Sequence, residues 1–161
     1  MPGIICAAIL STALAGCATR PEIVMKQTVG PDLAQPRVAI QRGQGRLVVY
    51  SALEVADPVT AYFPTHSGYS VYDSAGKLVR RVDNRGGSFY QDPASVALPA
   101  GSYKVEGRAT NAGVVLVPVI IEENKTTVVD LEGATLPQHR ASGAGQWVRL
   151  PDGQVVGARA D

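Results

Sequence analysis

The chain has 161 residues, 45% of them hydrophobic and 18% charged, with fifteen Lys and Arg against fourteen Asp and Glu. A net charge of +1 gives no basic face of the kind nucleic acid requires, so no nucleic-acid partner is expected. Seventeen glycines, eleven prolines and abundant valine weigh against helix, and two cysteines are too few for a disulfide framework or a cysteine-based zinc site.

The first element is an apolar run from Ile4 to Ala13 that closes on Leu14-Ala15-Gly16-Cys17. It is too short to span a bilayer, which takes about 20 residues. It falls within the roughly 7–15 residues of a signal-peptide core. The segment resembles a bacterial lipoprotein signal peptide ending in a lipobox. That resemblance implies removal of residues 1–16, a diacylglycerol on the Cys17 thiol and an acyl chain on its new amino group. Two or more such chains anchor a protein stably, at about 0.8 kcal/mol per buried methylene. Cys6 lies in the removed part, so lipidation also accounts for a lone cysteine in an extracytoplasmic chain. Met1-Pro2-Gly3 lacks the family's usual basic residue, as expected if the true start lies upstream. Ala18 stands where the family's inner-membrane retention signal carries Asp, which implies the periplasmic face of the outer membrane in the bacterial cell envelope. The alternative reading is a buried strand or helix ending in a structural cysteine.

Residues 17–36 mix Pro, Gly, Thr, Gln and charge with little period, and read as a flexible tether with one apolar patch at Ile23-Val24-Met25. From Arg37 the punctuation is that of an antiparallel β protein, and residues 37–132 read as one β-sandwich domain of about seven strands. Arg37 to Gln41 and Arg46 to Leu53 are apolar-rich runs around Gly43-Gln44-Gly45, a hairpin signature. Residues 58–64 are a loop between two prolines, and Tyr69–Tyr72 pairs with Lys77–Val82 across the turn Asp73-Ser74-Ala75-Gly76. Ser88-Phe89-Tyr90 reads as a short strand. Tyr103, Val105 and Gly107 share one face while Lys104, Glu106 and Arg108 share the other, the alternation of a sheet with one wet side. Val114 to Ile121 is apolar throughout, but Pro118 cannot donate to a ladder and predicts an edge or a bulge, with strand addition by another chain as its use if that edge is bare. Thr126 to Leu131 closes the set.

The stretches Tyr69–Val82, Val96–Arg108 and Val114–Leu131 resemble the carboxypeptidase-regulatory or prealbumin-like sandwich domains. They share the hairpin with Asp, Gly and Lys, the Leu-Pro-x-Gly-x-Tyr-x-Val strand entry and the closing Thr-x-Val-x-Leu strand. The likeness covers about Tyr69 to Leu131 and implies a fold, not a task, because that architecture hosts unrelated roles.

Residues 133–161 read as a Gly/Ala-rich linker followed by a hairpin about Pro151-Asp152-Gly153. Trp147, the single tryptophan, either caps the core or serves as an aromatic anchor. Together with Tyr62, Phe63 and Tyr90 it makes up the candidate ligand-binding set of a carbohydrate- or peptidoglycan-binding protein. His66 and His139 are far apart and lack a cluster of metal-ligating neighbours. His66-Ser67 with Asp73 invites a catalytic triad, but no nucleophile-elbow pattern accompanies it. The expected protein is therefore a non-catalytic lipoprotein with no cofactor and no metal, lipidated at Cys17. Its sandwich is a structural or protein-interaction module, with glycan binding as the alternative.

Overall fold

The computed structural model describes residues 21–35, 40–54, 64–86, 92–136 and 146–160. These contain no helix and form an all-β arrangement of mixed and antiparallel sheets, consistent with a β-sandwich. In chain order the strands are β1 (Ile23–Val24), β2 (Gln44–Tyr50), β3 (Leu53–Glu54), β4 (Thr65–His66), β5 (Tyr69–Asp73), β6 (Leu78–Val82), β7 (Ser95–Pro99), β8 (Gly101–Ala109), β9 (Gly113–Ile121), β10 (Thr126–Asp130), β11 (Trp147–Arg149) and β12 (Val155–Ala158). One sheet has the order β1-β9-β8-β5-β6 and a second the order β10-β2-β7, with β11-β12 and β3-β4 as two-stranded ribbons.

Alternation explains the faces. Leu47 and Val49 on β2, Val71 on β5, Val105 on β8, and Val115, Val117, Val119 and Ile121 on β9 are fully buried. Their sequence neighbours face outward, as the two-residue side-chain period of a strand demands. β8 and β9 form the longest hairpin, in register from Gly101↔Ile121 to Ala109↔Gly113. β10 lies parallel to β2, with Val128↔Val48 in register, so the second sheet needs a connection that leaves and returns.

Among the described residues the expected hairpin about Gly43-Gln44-Gly45 does not form. Residues 40–43 form a bend and turn in which the Gln44 N–H donates to the Gln41 carbonyl at 3.0 Å, and β2 starts at Gln44 itself. Gly45 is needed inside the strand because the turn from β9 to β10 crosses over it. A Cβ there would collide with the Glu122 carbonyl oxygen and lie 2.8 Å from Ile121 Cγ2. Residues 36–39, the start of that expected hairpin, lie outside the described residues, as does the strand expected at Ser88–Tyr90.

Residues 22–32, within the segment that the sequence presents as tether, are built into the sandwich. The Glu22, Met25 and Val29 N–H groups donate to the carbonyls of Val114, Leu116 and Pro118 at 2.8–2.9 Å, and the Ile120 N–H donates back to Val29. Met25 and Val29 are buried in the main core. The edge of β9 near Pro118 is thus covered by this chain's own N-terminal segment. β1 ends where Pro118 has no N–H to give the next rung, and pairing resumes at Val29.

The C-terminal hairpin closes the same seam. Val148, Leu150 and Val156 join the main core. Val29 bridges Arg159, the Gly30 N–H donates to Ala158, and the Ala160 N–H donates to Thr28. Gly157 permits this, since a Cβ there would strike the Val29 side chain and lie 2.8 Å from the Val128 carbonyl oxygen.

Candidate functional site

Of the residues expected to act, Cys17, Tyr62, Phe63 and Tyr90 lie outside the described residues. Trp147 opens β11 with its side chain turned away from the main core and half-buried against a satellite cluster of Val128, Leu136 and Val155. Asp130 organises that cluster. Its carboxylate, fully buried, accepts the N–H groups of Gly133 (2.6 Å), Thr135 (3.0 Å) and Leu136 (2.7 Å) and so folds the chain back to bring Leu136 into the cluster. The outer side of Trp147 lines a cleft of about 380 Å³ together with Asp32, Leu33, Lys125, Gln146 and Arg159. Its Nε1–H is buried without a hydrogen-bond partner among the described residues. The sequence allowed either a core cap or an anchor, and the residue combines an inner packing face with an outer cleft wall. The cleft's polar groups come from four separate segments, which no local motif would reveal.

A buried polar knot sits at the end of β2. His66 Nδ1 is 2.8 Å from the Ser51 carbonyl oxygen, which only accepts, so that nitrogen carries the proton. Ser51 Oγ donates to the Ser67 carbonyl at 2.6 Å and accepts from Asn84 Nδ2 at 2.8 Å. Asn84 Nδ2 also reaches the Val49 carbonyl, and Asn84 Oδ1 accepts the Ala94 N–H at 3.0 Å. The His66 ring meets Tyr50 edge-on at 5.6 Å. Burial pushes the Tyr50 phenol up, with Asp92, Asp130 and Glu132 adding to it. The knot brings His66 and two serines together, and Ser67 Oγ has no partner in it among the described residues. The imidazole addresses a backbone carbonyl, and the Ser51 hydroxyl proton is already committed to another. Asp73 accepts the Lys77 N–H across the β5–β6 turn, where it serves as a turn former. The knot ties β2, β4 and the β6–β7 connection, with Asn84 in the left-handed conformation (φ 56°) that lets its amide turn inward.

A second, shallower cleft of about 590 Å³ is lined by Glu54, Ser67, Tyr69, Arg81, Glu106 and Arg108. Arg108 pairs with Glu54 at 3.7 Å, both side chains at least half exposed, a pair worth little in water. Ser67 Oγ and Tyr69 Oη are buried without partners among the described residues. Burial raises the Tyr69 phenol well above its ordinary value of 10, with Arg80 opposing. The unfolded chain gives up this proton near pH 10 while the folded chain keeps it. The group's contribution to stability is therefore complete below pH 10 and is lost as pH rises towards the folded value. Tyr69→Phe is expected to move the alkaline unfolding midpoint upward and to cost nothing at neutral pH, since the hydroxyl has no partner to lose. Phenolate absorbance across an alkaline titration, followed alongside circular dichroism, checks this. Ionisation of Tyr69 in step with the exposed tyrosines, before unfolding, would contradict it.

Among the described residues no group of three or more His, Cys, Asp or Glu is placed to hold a metal ion, and no helix is long and apolar enough to cross a membrane. No protein-family model, no curated protein and no solved structure matches the chain.

Proposed function

We propose that this chain is a lipid-anchored, non-catalytic protein of the bacterial cell envelope, held on the periplasmic face of the outer membrane through Cys17. Its β-sandwich, of the carboxypeptidase-regulatory or prealbumin-like kind, serves as a structural or protein-interaction module. The observation that carries the reading is the seam formed by residues 21–31. Glu22 is already hydrogen-bonded to Val114, and it follows Cys17 by five residues. An extended chain spans at most about 3.6 Å per residue, so the lipidated residue sits within roughly 18 Å of the sandwich. Such an anchor is a short mount that fixes the domain's height above the headgroups. The committed hydroxyl of Ser51 supports the non-catalytic part.

A second reading, a glycan- or peptidoglycan-binding lipoprotein, is favoured by one observation. A half-buried indole beside Asp32, Gln146 and Arg159 offers a sugar ring both a stacking surface and hydrogen-bond partners. One experiment addresses both readings: the full chain is labelled with a fatty acid in cells, captured from the envelope, and tested in parallel for co-sedimentation with peptidoglycan. Incorporated label that Cys17→Ser abolishes, with one stoichiometric protein partner, is the expected result. Label unaffected by Cys17→Ser would overturn the anchor. Retention by peptidoglycan that Trp147→Ala removes would put the glycan reading first.

A further inference from the structure

The two lateral sides of the sandwich differ. On one, hydrogen bonds from residues 22–32 occupy the outer rungs of β9 and the start of β10, and β12 lies against β10. On the other, β6 pairs only with β5 among the described residues, and β6 is the last strand of its sheet. A terminal strand leaves alternate backbone N–H and C=O groups facing outward, a ready template for another extended chain.

The side chains of β6 narrow the choice of occupant. Leu78 and Val79 are 43% and 47% exposed, among the few large apolar side chains left in water. Lys77, Arg80 and Arg81 are exposed as well, and none of the three takes part in an ion pair among the described residues. Arg81 stands opposite Ser70 and lines the larger cleft, whereas Arg80 stands opposite the inward-facing Val71. Successive strand residues point to opposite faces, so the two guanidinium groups flank the edge from both sides. A second copy of this chain would bring arginine against arginine, since antiparallel self-pairing of Leu78–Val82 centres on Arg80. Like charges directly opposite destabilise a pair and opposite charges stabilise it.

From this we propose that β6 is a docking edge for an extended acidic segment of a partner protein. The segment adds as a further strand outside Leu78–Val82 and places carboxylates at successive positions against Arg80 and Arg81. Apolar residues of the same segment cover Leu78 and Val79. The proposal rests on the interaction-module reading and names its surface and the chemistry of its partner.

The test uses the full chain in its own envelope, with a photo-cross-linking benzophenone side chain placed at Val79 and, as a control on the opposite side, at Val24, which is 63% exposed. The fatty-acid label is followed in the same cells. The expected result is an adduct from position 79, absent from position 24, whose cross-linked peptide carries acidic residues at successive positions. Its yield should fall at least about fivefold in the Arg80→Glu/Arg81→Glu variant, the loss of two cross-strand charge pairs. A synthetic copy of that peptide should slow amide exchange across residues 78–82 of the purified protein. An adduct with a second copy, with lipid or with a segment lacking acids would overturn the proposal. So would a yield indifferent to the double charge reversal, or unchanged exchange at residues 78–82. A captured partner without a position-79 adduct would remove the docking edge and leave the interaction-module reading standing. An adduct without label at Cys17 would remove the anchor and leave the edge.

Discussion

Asp130→Ala is expected to destabilise the fold by about 3–5 kcal/mol, one of the two largest single-site effects foreseen here. The side chain is completely buried, and its two oxygens accept three backbone N–H groups at 2.6, 3.0 and 2.7 Å. Each donor left unsatisfied costs on the order of 1–3 kcal/mol, and hydrogen bonds to a charged acceptor lie at the upper end. The three share one acceptor group, so their losses do not simply add. Asp130→Asn should fall between alanine and wild type, because one carbonyl oxygen still accepts while the amide NH₂ opposes a donor. Urea unfolding measures the effect. The same change should loosen the cluster of Val128, Leu136 and Val155 against which Trp147 packs, so the fluorescence of the single tryptophan reports the local loss. A variant within about 1 kcal/mol of wild type, with unchanged emission, would show that the clamp does not hold this loop.

Val29→Asp should be comparably severe. Val29 has no exposed surface and packs at the junction of β9, β10 and β12, touching the space left open by Gly157. A carboxylate placed there is taken out of water, while Arg159, the cationic residue bridged to this position, is itself exposed to solvent. An unpaired charge in such a site costs several kcal/mol, commonly about 3–5. Val29→Ala, which removes only apolar volume, should cost about 1–3 kcal/mol. The measurement is limited trypsin digestion at Lys26, whose flanks are held by the Met25 and Val29 hydrogen bonds, combined with amide exchange at Ile120. Wild type should resist cleavage and protect Ile120. Val29→Asp should be cut and should exchange rapidly if it folds at all. Full protection in that variant would mean that the segment is held by something other than this contact.

The parts of the fold legible in the sequence are those whose cause is local. Tyr103, Val105 and Gly107 against Lys104, Glu106 and Arg108 set the faces of β8. The Asp73–Gly76 turn fixed the β5–β6 hairpin, and Pro151-Asp152-Gly153 fixed the β11–β12 hairpin. The illegible parts depend on distant partners. Among the described residues of the segment read as tether, only Met25 and Val29 are buried hydrophobics, too few to display a strand period, and their binding surface is β9 some ninety residues on. Gly45 signals a turn by composition yet sits inside β2, because Glu122 approaches it from the connection between β9 and β10. At the site, Trp147 could be named but not its surroundings, and the Ser51, His66 and Asn84 knot joins three segments whose residues look like ordinary loop positions.

The two ends of the described chain hydrogen-bond to each other, through Gly30 with Ala158 and Thr28 with Ala160, on either side of the Val29–Arg159 bridge. This closure sets an order in time. While a growing chain lacks residues 155–160, residues 28–30 lack their partners there and the core lacks Val156, so the sandwich stays incompletely packed. Contacts that join opposite ends of a sequence are also the slowest to form, because the longest loop must close before they stabilise anything. A chain built this way locks late and all at once, so the meeting of residues 28–30 with 158–160 should be the slow step that sets its folding rate.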